Sequence, residues 1–269
     1  MRVVGIDVGP EKGAHIYDRE YSGARETSVI HKTPNLLAQY LAELPQDTLI
    51  AWDSPLTAAS STDQRGALIA SDLTHRVIEA FFSRSEYGFR PPAGISVRPY
   101  SGCPHWTISR RMLGLPRIGR YDFPNESLPF SLIVANVRPG RGRHVVEVHP
   151  ALALWLWFRR EREGESWLYK EKHNTGIRHD LWNRLSRRFS VVRRSTFRSS
   201  NPSDDELDAM AAGILAQCWY RGDDSVAVLG DAQCGAMLMP AVDGLQSAFA
   251  EFRSAELRKR SRRQERIQI

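Results

Sequence analysis

Residues 2–18 of the chain run RVVGIDVGPEKGAHIYD. Val3, Val4, Ile6 and Val8 make residues 2–8 a buried strand, and Asp7 stands near its end. A carboxylate buried there without a partner costs several kcal/mol, so the position calls for one. A metal ion meets that need, and so does a phosphate-handling loop. Gly13 to Tyr17 and Thr27 to Lys32 give two further short strands. The connections between the three are too short for helices, which predicts an antiparallel meander.

The pattern then changes. TPNLLAQYLAEL (33–44) places Leu36, Leu37, Tyr40, Leu41 and Leu44 at helical spacing, with Thr33 as cap and Pro34 at the first helical position. TLIAWDSP (48–55) is a fourth strand with a second terminal carboxylate, Asp53. A helix is expected over Leu68 to Phe82, and RHVVEVHPA (143–151) supplies a fifth strand that carries Glu147. Helices are expected at Ala151 to Arg160 and near Asp180 to Arg188. The clearest helix is DDELDAMAAGILAQCWYR (204–221), where Ser203 and Glu206 form a capping box and Leu207, Met210, Ala211, Ile214, Leu215 and Cys218 an apolar face. VAVLGD and AMLMP are two short late strands, and a last helix begins near Ser247. The order predicts an α/β fold with a mixed sheet and flanking helices.

Asp7, Asp53, Glu147 and the acids Asp204, Asp205 and Asp208 can meet at the strand ends. On a helical wheel Asp208 borders the apolar face, Asp204 lies on the same side and Asp205 turns outward. Asp204 and Asp205 also satisfy the helix dipole in the first turn, a role that Asp208 is too deep to share. Clustered carboxylates repel, and Mg²⁺ or Mn²⁺ relieves that with oxygen ligands. Two such ions about 4 Å apart clamp the attacking and leaving oxygens of a phosphodiester. His149 fits a structural histidine better than a ligand. Lys170 and Arg178 are candidates to hold a phosphate, with a solvated face as the alternative.

The charge pattern bears on partners. The chain of 269 residues carries a net charge of +6. Between Arg84 and Arg143 stand ten arginines, no lysine and three acidic residues. Arginine forks onto phosphate oxygens and stacks on bases, and Tyr100, Trp106 and Tyr121 are interleaved there. This arginine-rich insertion, about residues 84–143, is the expected grip on DNA or RNA, with Arg110 and Arg111 among its contacts and a solvated, irregular insertion as the alternative. From Glu251 onward seven basic and three acidic residues form a C-terminal helix or tail over 246–269. Cys103, Cys218 and Cys234 are scattered and form no CxxC pair, which supports neither a disulfide framework nor a cysteine zinc site. Residues 1–8 lack a signal-peptide pattern, and no apolar run reaches the length of a membrane span. A cytoplasmic protein with no membrane partner is expected.

GIDVG, GAHIYD, AWDSPL (51–56), EVHPA (147–151), Tyr169-Lys170, DDELDA (204–209) and LGDAQCGAMLMP (229–240) resemble, in that order, the family of predicted nucleases called domain of unknown function 429. The resemblance implies a ribonuclease-H-like domain over residues 1–245, with metal ligands at Asp7, Asp53 and Asp208. Asp205-x-x-Asp208-Ala is also similar to the helix pair of Holliday-junction resolvases, which implies Asp205 rather than Asp204, against the wheel. Such resolvases often pair, so a homodimer is among the expectations. The family's arginine and cysteine pattern after Asp53 is not evident in TDQRGALIASDLTHR (62–76), and the basic tail lies outside the resemblance.

Three functions compete. The first is a metal-dependent nuclease that uses Asp7, Asp53, Glu147, Asp205 and Asp208. The second is an actin-like or sugar-kinase-type ATP-binding phosphotransferase with GIDVGPEKG as its phosphate loop. Pro10 stands where such loops favour a hydroxyl residue, and a second domain of that kind does not fit in about 245 residues. The third is a nucleic-acid-binding module without turnover, for which buried carboxylates would be a liability.

Overall fold

A computed structural model describes residues 1–9, 13–19, 26–31, 34–56, 76–97, 108, 112–113, 130–189 and 202–267. Six strands form one sheet, in the order β3-β2-β1-β4-β6-β5. β1 (Arg2–Gly9), β2 (Gly13–Arg19) and β3 (Glu26–His31) make the expected antiparallel meander. β4 (Thr48–Asp53), β6 (Arg143–Glu147) and the short edge strand β5 (Ser131–Ile133) run parallel to β1. β5 lies inside the arginine-rich stretch and was not expected. Its three residues are too few to show a period. The fold is mixed α/β, as the element order predicted.

Alternation along the strands sorts the core into two layers. Val4, Ile6, Ile50, Trp52 and Val145 face α1 (Pro34–Glu43) through Leu37 and Leu41. Val3, Tyr17, Leu49, Ala51 and Val146 face the other way, onto α5 (Asp204–Arg221). The same layer holds α2 (Val77–Phe82) and α3 (Pro150–Phe158). It also receives the hairpin of β7 (Val226–Asp231) and β8 (Gly235–Pro240). α4 (Thr175–Arg188) adds Leu181 and Leu185. The C-terminal helix α6 (Leu245–Ile267) begins as part of this core, not as a tail. Its Phe249 and Phe252 rings pack on Phe81 at 5.4 and 5.7 Å between centroids.

α5 crosses β1 unusually closely. A Cβ on Gly5 would strike the backbone of Ala209 and Gly213, and one on Gly213 would strike the Tyr17 ring. Both positions therefore need glycine for want of space. This contact docks the acidic first turns of α5 against the end of β1. The capping box is present: Ser203 Oγ accepts from the Glu206 amide at 3.1 Å, and Glu206 accepts from the Ser203 amide at 2.8 Å.

Candidate functional site

Register sets the first two carboxylates. Asp7 and Asp53 are paired positions on parallel neighbours β1 and β4. Both lie on the α5 side, by alternation from Val3 and from Ala51. Asp208, one turn into α5, completes a triad whose donor oxygens lie within 4.8 Å of one another. Asp7 and Asp208 are buried, and Asp53 is half-buried. Burial raises the Asp7 carboxyl well above the usual carboxylate range, and the Asp208 and Asp53 charges raise it further. Burial pushes Asp53 up to about 7 against the pull of Lys170. Burial also raises Asp208, although Lys170 and Tyr169 pull it down. Three acids are thus held where they cannot all ionise without a cation.

A lysine supplies part of that charge. The Lys170 ammonium lies 2.6 Å from Asp208 Oδ2, and the Tyr169 hydroxyl donates to Asp208 Oδ1 at 2.5 Å. Burial works against the charged lysine, but Asp208, Asp7 and Asp53 outweigh it and raise its pKa. Lys170 is therefore a counter-ion to the acids. Arg178 is held differently. Its guanidinium is buried and donates to the carbonyls of Tyr169 at 2.8 Å, Glu171 at 3.0 Å and Lys172 at 3.4 Å. It shapes the loop that presents Tyr169 and Lys170. Arg110 and Arg111 lie outside the described residues.

Glu147, expected among the catalytic acids, stands outside the triad's group of donor oxygens. In register it pairs with Trp52, not Asp53. Its carboxylate instead takes two bonds from Arg76, at 2.9 Å to Oε2 and 2.5 Å to Oε1. The Leu56 amide donates to Oε2 at 2.8 Å. Arg76 is fully buried and binds Glu79 as well, with Nε at 2.8 and 3.0 Å from the two oxygens. Sequence reasoning missed Arg76. It stands 71 residues from its partner in sequence. His149 is structural, as expected. Nδ1 accepts from the Leu152 amide at 3.3 Å, and Nε2 faces the Ser96 carbonyl at 2.8 Å, where the partners assign it the proton. Burial and the Lys170 charge push its pKa down to about 4.

Asp205 does not turn outward. It reaches back toward β2, where its Oδ2 lies 3.7 Å from His15 Nδ1. Asp7, His15 and Asp205 form a second group with donor atoms within 4.8 Å of one another. The helix wheel misplaced Asp205 because the Gly5–Gly213 contact draws the start of α5 onto the β1–β2 hairpin. The acids thus supply oxygen donors of the kind that hard divalent cations take.

The model of the family described as "Protein of unknown function (DUF429)" matches residues 132–233. That stretch runs from β5 to the turn after β7 and includes Glu147, Tyr169, Lys170, Arg178, Asp205 and Asp208. The match supports the resemblance drawn from the motifs. No curated protein matches the chain, and no solved structure does. Among the described residues, no helix is long and apolar enough to cross a membrane.

Proposed function

We propose that this chain, DUF429-like over residues 132–233, is a metal-dependent nuclease of ribonuclease-H-like fold that hydrolyses phosphodiester bonds in DNA or RNA. The observation that carries the reading is the convergence of Asp7, Asp53 and Asp208 within 4.8 Å. The strand order β3-β2-β1-β4-β6, an antiparallel meander followed by parallel strands, supports the fold assignment.

The buried carboxylates with raised pKa fit a divalent cation, Mg²⁺ or Mn²⁺, which Asp7, Asp53 and Asp208 would hold. When bound, such an ion supplies Lewis-acid stabilisation of the phosphoryl oxygens and an activated water. The Tyr169 hydroxyl orients Asp208 through Oδ1. The Lys170 ammonium neutralises part of the acid charge and stands where a scissile phosphate would need a counter-charge. Arg76 and Glu147 fix the chain that leaves β4, through the Leu56 amide, and so hold Asp53 in place. A separate cavity of about 1030 Å³ between α2, residues 90–97 and α6 is lined by Arg84, Arg90, Lys259 and Arg260 together with Glu79 and Glu256, a cationic excess that suits a polyanion.

The test is cleavage of labelled single-stranded, duplex, hybrid and branched DNA and RNA in Mg²⁺, Mn²⁺ or EDTA. Cleavage that needs the metal and disappears in Asp7→Asn and Asp208→Asn is the expected result. Metal-dependent cleavage retained by both variants would refute the assignment, and binding without cleavage would leave the non-catalytic module.

A further inference from the structure

The antiparallel pairing of β1 and β2 sets His15 directly across from Asp7. Both lie on the α5 side of the sheet, and the first turn of α5 brings in Asp205. The His15 side chain is 9% exposed, and its Nδ1 has no hydrogen-bond partner among the described residues. A neutral imidazole offers one acceptor and one donor nitrogen, and leaving a buried polar atom unmade is unfavourable. The nearest charged group, Asp205 Oδ2, is at 3.7 Å, too far for a hydrogen bond. That separation does suit two donors on a common ion. Donors each about 2.1 Å from one ion stand about 3.0 Å apart at a right angle and about 4.2 Å apart when opposed. Asp7 belongs both to this group and to the triad with Asp53 and Asp208.

We infer that Asp7, His15 and Asp205 form a second cation position, distinct from Asp7/Asp53/Asp208, that takes a first-row transition ion through one imidazole nitrogen and two carboxylates. The inference rests on the reading of the acids as a metal centre, and it names the ion that the second position prefers. Imidazole nitrogen ranks Co²⁺ and Zn²⁺ above Mn²⁺ and leaves Mg²⁺ weakest. The all-oxygen triad has a weaker bias, because carboxylate oxygens also suit Mg²⁺ and Mn²⁺. The centre is therefore asymmetric. One position accepts Mg²⁺, and the other discriminates against it.

Co²⁺ alone is the probe, without nucleic acid. Calorimetry counts the ions bound per chain, and proton spectra of the Co²⁺ protein show whether an imidazole N–H is shifted by the metal. The wild type is expected to bind two Co²⁺ and to show one such resonance. His15→Gln loses that resonance and weakens one of the two ions at least tenfold, and Asp205→Asn weakens the same ion. Asp53→Asn weakens the other. Circular dichroism confirms that each variant is folded, and Asp205→Asn carries the test if His15→Gln is not. Two ions bound equally well by wild type, His15→Gln and Asp205→Asn would overturn the inference. One ion, lost in Asp53→Asn but kept in His15→Gln and Asp205→Asn, would overturn it and leave the triad standing. No Co²⁺ bound at all would overturn both this inference and the metal centre.

Discussion

Replacing Asp53 by asparagine should stabilise the metal-free protein, an unusual outcome for a half-buried polar side chain in a sheet. The reason lies in the protons. Unfolded, Asp53 titrates near 3.8; folded, burial holds it up to about 7, with Lys170 opposing. A folded value above the unfolded one means that stability is intact below pH 3.8 and is lost as pH rises through 7. At 1.36 kcal/mol per pH unit, the gap amounts to about 4 kcal/mol once the group is ionised. Three neighbouring carboxyls share the protons, so removing one should return about 2–4 kcal/mol at pH 8. Urea unfolding in EDTA, at pH 5 and pH 8, measures it. Asp53→Asn should exceed the wild type at pH 8, and the difference should shrink at pH 5, where the wild-type acid is protonated. Added Mn²⁺ should reverse the order, because an ion at a thousandfold excess over its Kd stabilises only the competent site, by about 4.1 kcal/mol. A variant less stable than wild type in EDTA at pH 8, or a difference unchanged between the two pH values, would refute the reasoning.

Other perturbations have equally definite outcomes. Arg76→Met leaves Glu79 and Glu147 buried without their cation and should cost about 3–5 kcal/mol in urea unfolding at pH 8. The loss should shrink as pH falls, because buried Glu79 then takes up a proton, and adding Glu79→Gln and Glu147→Gln should restore part of it. Lys170→Met removes the ammonium that opposes a metal ion, so Mn²⁺ should bind at least tenfold more tightly while cleavage falls. A loss of cleavage with unchanged Mn²⁺ affinity would place Lys170 on the substrate alone. Gly213→Ala forces a methyl group onto the Tyr17 ring and should cost about 1–3 kcal/mol, with weaker Mn²⁺ binding as α5 lifts from β1. Gly176→Ala, where a Cβ meets nothing within 4 Å, should stay within about 0.5 kcal/mol of wild type.

Much of the architecture was legible in the sequence because local patterns carried it. The apolar runs ending in Asp7 and Asp53 announce strands, and Ser203 with Glu206 announces the start of α5. The start of α4 was harder. Thr175 to His179 carries a single apolar residue, Ile177, and Arg178 is buried because loop carbonyls up to nine residues away surround its guanidinium. Long-range pairing hid the rest. Nothing near Glu147 says that its partner is Arg76. The alternation that puts it beside Trp52 depends on a register that the sequence does not display. The same holds for His15, whose position opposite Asp7 follows from the length of the first turn, and for Asp205, whose direction is set by two glycines.

Glu147 has one more consequence. Its carboxylate receives the Leu56 amide and the Arg76 guanidinium, so one side chain clasps the end of β4 to the start of α2. A single buried clasp makes the two elements yield together, and whatever loosens Glu147 should free the residues that follow Asp53 and the first turn of α2 in one step.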